Sequence, residues 1–283
     1  MARNLLEMLR PDRLPPREFV EKRVDELLDL RGKRAAVTGG GGPTLGQAIV
    51  HRLAGLGASV AVIERAEAME SAQKVASDVL ERWGVTAVAI EADVSDWDAV
   101  HGAAGQIEDE LGGLDIWVNN AGGGGATSYF ADTPREVIDG MMNSFLATAL
   151  YGTHAALQVM LPKKKGRIVN IASTAGLTPT RGLAPYSVMK AGVIALTEVV
   201  AQEIGLAGVT IAAVAPGTML SEAMMDIYRD APGDLEDILE QMWAKTSMGR
   251  CCYPEEVANT VAFLCSDAGA YIHGTTVRVG GGQ

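Results

Sequence analysis

A short apolar run, Lys33-Arg-Ala-Ala-Val-Thr38, ends in Gly39-Gly-Gly-Gly-Pro-Thr-Leu-Gly46, and the apolar residues from Gln47 to Leu56 then recur at helical spacing. Strand, glycine loop and helix start in that order form a dinucleotide phosphate site. Glycines let the backbone come close, and the first turn of a helix presents free N–H groups to a pyrophosphate. Further short apolar runs follow at Ser59–Ile63, Ala87–Ile90, Leu114–Val118, Arg167–Ser173, Val209–Val214 and Thr275–Val279, separated by helical stretches. Seven strands alternating with helices predict an α/β chain: one doubly wound, mostly parallel seven-stranded sheet with helices on both faces and right-handed crossovers.

A second feature points to chemistry. Tyr186 and Lys190 stand four apart, and the residues after them, AGVIALTEVVAQEI, keep helical periodicity, so phenol and ammonium share one helix face. A phenol titrates near pH 10, and a fixed cation beside it favours the phenolate and brings proton transfer toward neutral pH. A surface Tyr beside a surface Lys on an amphipathic helix is the plain alternative. Against it, none of the other five tyrosines has a Lys at the fourth following position, and Tyr186 lies 13 residues after Ser173, at the end of an apolar run.

From about Leu30 to Gly282 the sequence resembles the short-chain dehydrogenase/reductase (SDR) family, whose fold is Rossmann-like. The resemblance implies a catalytic set of Asn143, Ser173, Tyr186 and Lys190, with a helix-bending or interface role as the alternative for Asn143. It implies cofactor contacts from Gly39, Thr44, Leu45 and Gly46, from Asp93-Val94, from Asn120, Ala121 and Gly122, from Tyr186 and Lys190, and from Pro216, Gly217, Met219 and Ser221. Asn119 is expected to be structural, and Asp93 could also cap a helix starting near Ser95. The glycine loop departs from the family's pattern. Thr38 and Gly46 are one residue further apart than usual, and Thr44 stands where the middle glycine is expected, so the loop should bulge. Glu64 ends the second strand, 18 residues beyond Gly46. A carboxylate there accepts hydrogen bonds from ribose hydroxyls and repels a 2′-phosphate, which favours NAD over NADP, with Arg65 next door as the counter-signal.

The implied reaction moves a hydride between a nicotinamide cofactor and a secondary alcohol or ketone. The segment from about Thr218 to Gly249 is expected to close over the substrate as a lid. It is rich in Met, Leu and Ile, and its seven carboxylates face two cations, Arg229 and Lys245. Such a lid favours a neutral, hydrophobic substrate such as a steroid, terpenoid or alicyclic alcohol. Two alternatives stand beside this reading. One is a 3-oxoacyl-(acyl carrier protein or coenzyme A) reductase, which would prefer NADPH and a basic docking patch such as Lys163-Lys-Lys-Gly-Arg167. The other is a sensor or scaffold that keeps the fold without the chemistry.

The net charge of −11 disfavours nucleic acid and anionic membrane surfaces as partners. No stretch of 18 uninterrupted apolar residues occurs, and MARNLLEMLRPDRLPP lacks the apolar core of a signal peptide, so a cytoplasmic location is expected. Cys251, Cys252 and Cys265 read as reduced packing residues, and the four histidines have no second ligand at helical spacing, so no metal is expected. Residues 1–29 form an N-terminal extension, part helical from Arg17 to Leu30, ahead of one catalytic domain over 30–283. The family resemblance, and apolar positions in excess of what one sheet face can bury, predict a homotetramer.

Overall fold

The computed structural model describes residues 21–123, 128–219, 237, 240 and 243–283. After a single helical turn, α1 (Val24–Leu28), the chain alternates strand and helix: β1 (Arg34–Thr38), α2 (Leu45–Gly55), β2 (Ser59–Glu64), α3 (Met69–Trp83), β3 (Ala87–Glu91), α4 (Trp97–Leu111) and β4 (Ile116–Asn119). The second half continues with α5 (Arg135–Met141), α6 (Thr148–Lys163), β5 (Gly166–Ile171), α7 (Thr174–Leu177), α8 (Ala184–Ile204), β6 (Val209–Pro216), α9 (Pro254–Cys265) and β7 (Thr276–Val279). Every strand pairing is parallel, in the order β3-β2-β1-β4-β5-β6-β7. The order reverses between β1 and β4, so a crevice opens above their carboxyl ends.

Alternation along the strands explains why both faces are covered. Ala35, Val37, Val60, Val62, Ile116 and Val118 point to one side, where Ile49 and Leu53 of α2, Val75 and Val79 of α3 and Val257 and Val261 of α9 bury them. Ala36, Ala61, Ile63 and Trp117 point to the other, against α4, α6 and α8. By length and composition α8 would also span a membrane, but it lies on the sheet with Val193, Val200, Ala201 and Ile204 buried. It is a core helix of the sheet.

Four polar side chains sit inside that second layer. Trp117 donates from Nε1 to Asn119 Oδ1 at 2.6 Å, and Asn119 Nδ2 donates to Asn170 Oδ1 at 2.8 Å and Thr153 Oγ1 at 3.0 Å. Asn170 Nδ2 in turn donates to Thr197 Oγ1 at 2.9 Å. This seam ties β4 and β5 to α6 and α8. Gly152 makes it possible, because a Cβ there would strike Asn119 Oδ1 and come within 3.0 Å of Trp117 Nε1.

The structure refines three expectations. The stretch from Pro134 to about Met160 is helical throughout, as α5 and α6 joined by a π-helical turn, Met142–Ala147. Asp96, not Asp93, caps α4, accepting from Ala99 N at 2.8 Å. The histidines are not all isolated: His101 Nε2 and His154 Nδ1 meet at 2.8 Å across α4 and α6. Of the expected N-terminal helix, only α1 and its approach are described. Lys22 reaches Asp267 at 3.4 Å, which sets this segment against the body of its own chain.

Asn119→Ala leaves Trp117 Nε1 buried without a partner and Asn170 Oδ1 with only the 3.4 Å bond from Thr153 Oγ1, so the expected loss is about 2–4 kcal/mol of unfolding free energy. Urea denaturation checks this, and a loss below about 0.5 kcal/mol would remove the seam from any structural account.

Candidate functional site

A cavity of about 1420 Å³ opens above the carboxyl ends of the strands and gathers residues expected from the sequence from distant parts of the chain. On one side the glycine loop leads into α2. Gly39 has φ +65°, and a Cβ on Gly46 would collide with the Gly39 carbonyl, so two strands of the loop pass in direct contact. The additional residue in the loop is taken up toward β2. Gly41 N donates to Glu64 Oε1 at 3.0 Å, and the Gly41 carbonyl accepts from Ser71 Oγ at 2.6 Å. That is the expected bulge, with α2 starting at Leu45 rather than Gln47.

Glu64 therefore has a structural duty as well as a place on the cavity wall. Burial raises its carboxyl above the ordinary value, while backbone N–H groups of Gly41, Arg65 and Gly42 pull it down. Asp93 also lines the cavity; its Oδ1 accepts from Ser95 N at 2.9 Å and Ser95 Oγ at 2.7 Å, which lowers its pKa. Asn120 lines the cavity but spends its amide on the loop, donating from Nδ2 to Thr38 O at 3.0 Å and Gly39 O at 3.2 Å. Thr38 Oγ1 accepts from the backbone N–H groups of Asn120 and Ala121, so β1 and β4 end as one braced unit.

Ser173, Tyr186 and Lys190 face the same cavity. Ser173 follows β5 and caps α7, its Oγ accepting from Ala175 N at 3.2 Å. Tyr186 stands in the first turn of α8, after Pro185, edge-on to Phe145 with ring centroids 5.1 Å apart. Lys190 is buried, donates from Nζ to Ile171 O at 2.8 Å, and lies 5.1 Å from the Phe145 ring centroid and 6.0 Å from that of Tyr186. Burial pushes Lys190 down to about 8. Burial also raises the Tyr186 phenol, with the Ser173 hydroxyl bond opposing it in part. The expected lowering of the phenol by its neighbouring cation is not found; burial sets the direction. Asn143 lies in the π-helical turn and lines the cavity. Such turns shift side chains off the regular helical face and occur often at functional sites.

On the far wall Pro216 ends β6, and Gly217, Thr218 and Met219 follow. Ser221 and most of the expected lid lie outside the described residues. Val94, Leu45, Thr44, Ala121 and Gly122 also line the cavity, whereas Gly46 does not and packs against the Gly39 carbonyl. Gln283 is one that sequence reasoning missed. Its Oε1 accepts from Thr218 N at 2.9 Å, its Nε2 donates to Thr218 Oγ1 at 2.6 Å, and Arg278 Nη1 donates to its main-chain oxygen at 2.6 Å. No local pattern around Gly280-Gly-Gly signals that role. Phe145, Thr178, Thr180 and Leu183 were likewise missed; each lines the cavity through tertiary placement, as does Lys245, which was expected only as a lid cation.

A family model described as enoyl-(acyl carrier protein) reductase matches residues 42–283. The chain is 34% identical over 250 residues to the 3-oxoacyl-[acyl-carrier-protein] reductase FabG of Staphylococcus aureus, covering 88% of this chain and 98% of that one. The chain belongs to the short-chain dehydrogenase/reductase family. Among solved SDR structures, a putative short-chain alcohol dehydrogenase from Sinorhizobium meliloti 1021 superimposes with a TM-score of 0.82 at 32% identity, covering 90% of this chain and 97% of its own. A structure of NAD⁺-bound xylitol dehydrogenase also gives 0.82, at 29% identity, with 89% and 99% covered. The protein is an SDR oxidoreductase, and that family binds a nicotinamide cofactor. The local structure fits such a group. The Gly39–Gly46 contact holds the loop tight, and the Leu45 and Gly46 N–H groups at the start of α2 have no helical carbonyl to meet, while Gln47 N is taken by Gly42 O at 3.3 Å.

Gly46→Ala is expected to force the loop apart and weaken cofactor binding at least tenfold, whereas Gly105→Ala, in α4 outside the cavity and with nothing within 4 Å of its Cβ, should leave it within about twofold. Fluorescence titration of both variants checks the contrast.

Proposed function

We propose that the chain reduces a 3-oxoacyl thioester, carried on acyl carrier protein or coenzyme A, to the 3-hydroxyacyl thioester, with NADH as reductant. The near-full-length likeness to a 3-oxoacyl-[acyl-carrier-protein] reductase carries the substrate class. The buried phenol is compatible with the reductive direction. With its pKa raised, Tyr186 holds its proton at neutral pH and is ready to donate it.

Bound NADH supplies the hydride and the two electrons. The chain's own groups do the rest. Ser173 donates a hydrogen bond to the ketone oxygen and holds it beside the phenol, and Tyr186 passes its proton to that oxygen as the carbonyl carbon is reduced. Lys190 stays charged below about pH 8 and stabilises the tyrosinate that remains. Asn143 is assigned the water through which Tyr186 recovers a proton. Gly39, Thr44, Leu45 and Gly46 would hold the pyrophosphate; Asp93 and Val94 the adenine; Asn120, Ala121 and Gly122 the floor; and Pro216, Gly217 and Met219 the carboxamide side, with Ser221 beyond them.

NAD is preferred over NADP in this reading, because the Glu64 carboxylate stands on the wall at the end of β2 and opposes a 2′-phosphate. The basic cluster once attractive as a carrier docking patch does not serve the cavity. Lys163 pairs with Glu108, Lys165 with Asp115 and Arg167 with Asp267, at the amino ends of the strands. The residues that favoured a neutral steroid, terpenoid or alicyclic substrate belong to a lid that is mostly outside the described residues. We also read the protein as a cytoplasmic homotetramer, since Leu150 of α6 and Val188 and Val199 of α8 expose apolar side chains a symmetric partner would cover.

Initial rates with NADH and with NADPH on acetoacetyl-coenzyme A, acetoacetyl-acyl carrier protein, alicyclic ketones and ketoses test the proposal. The expected result is at least tenfold higher kcat/KM for a thioester with NADH, falling as pH rises through about 8 where Lys190 loses its proton. Preference for alicyclic ketones would restore the neutral-substrate reading, and preference for NADPH would assign the adenosine end to Arg65.

A further inference from the structure

The amino ends of the strands enclose a second cavity, of about 630 Å³, within the range of small-molecule sites. The strands are parallel and β5 alone spans six residues, so roughly 20 Å of sheet separates this cavity from the one above the carboxyl ends. Its wall inverts the charge of the chain as a whole. Lys33, Lys165 and Arg167 line it against Asp115 and Asp267, and Arg34, from just outside, neutralises Asp115 further with Nε 2.6 Å from Oδ2. Lys165 Nζ shares the same carboxylate at 2.9 Å, and Arg167 Nη2 meets Asp267 Oδ1 at 3.2 Å. His273 adds no positive charge in this arrangement. Its Nδ1 accepts from Ile211 N at 3.1 Å, which leaves the ring proton on Nε2, directed at Ala201 O at 2.8 Å.

Two donors are left over. Arg167 Nη1 is buried with no hydrogen-bond partner, and Lys33 makes no ion pair among the described residues. Nη1 is closed off from solvent, so Arg167 acts on the cavity through its charge, and Lys33 is the lining cation that no carboxylate pairs among the described residues. The lowered pKa of Lys33 agrees, since burial and the charges of Lys165 and Arg167 all oppose its proton. We propose that this cavity is a second ligand site, for the phosphate group of a small metabolite or for phosphate itself, held by Lys33 and Lys165, with the Arg167 guanidinium as fixed positive charge in the wall. The space is larger than one phosphate needs, which favours the phosphomonoester. Its occupation would tie the first residues of β1, β4 and β5 together.

Calorimetric titration of the full chain, saturated with reduced nicotinamide cofactor so that the glycine loop is filled, tests this at constant ionic strength set with chloride. Inorganic phosphate and glycerol 3-phosphate are the probes. We expect one saturable site per chain, with Kd raised at least tenfold in Lys33→Gln and in Lys165→Gln and cofactor affinity within twofold of the parent. Tighter binding of the ester supports a metabolite as the occupant, and equal binding supports free phosphate. Lys165 is exposed, so its variant keeps the test readable if Lys33→Gln folds poorly. No saturable binding, or binding unchanged by both substitutions, overturns the proposal.

Discussion

Two buried amides, Asn119 and Asn170, join the halves of this molecule on which its chemistry rests. Their side chains bond to each other at 2.8 Å across β4 and β5, and through Thr153 and Thr197 they reach α6 and α8. A polar seam in a layer of Trp117, Met160 and Ile168 is costly unless every group is paired, and these amides are paired on both sides. That requirement allows one register between the sheet and the two helices. The register then fixes where Ser173 leaves β5 and where Tyr186 and Lys190 project from α8.

Desolvation governs the site that results. The same burial that raises the Tyr186 phenol lowers Lys190 to about 8, so each group is pushed toward its neutral form. The chain thereby stores a proton on tyrosine and keeps a cation next to it that needs only pH below about 8 to stay charged. Lys190 holds its place through Ile171 O and the Phe145 ring, and no carboxylate among the described residues pairs with it. An oxidoreductase of this family poised in that way is suited to protonating a nascent alkoxide.

Much of this was legible in the residues. Periodicity located the seven strands and their helices, because hydrophobic alternation is imposed by a sheet buried on both faces. The spacing from Tyr186 to Lys190 and the position of Ser173 needed only helix geometry and the end of a strand. What stayed hidden depends on contacts distant in sequence. The π-helical turn at Met142–Ala147 contains no Pro or Gly, and Gly140 before it sits within α5 without ending the helix. His101 and His154 meet because α4 and α6 pack side by side, and 53 residues separate them in the chain. Glu64 was readable as a cavity residue, but its bond to Gly41 follows from a loop one residue longer than usual. Gln283 anchors Thr218 through a turn that brings the last residue back to β6, and nothing near it in sequence implies that. The effect of burial on Tyr186 was missed for a similar reason: the spacing shows the neighbouring cation and not the depth at which both are set.

The proton on Tyr186 is the centre of this account, and Tyr186→Phe removes it while preserving the edge-on contact with Phe145. Single-turnover reduction by the Phe variant, with cofactor affinity measured on the same preparation, is the most direct test. The account predicts turnover at least about a hundredfold slower with the cofactor Kd within about twofold of the parent. Near-normal turnover in the Phe variant, on a substrate the parent reduces, would contradict it.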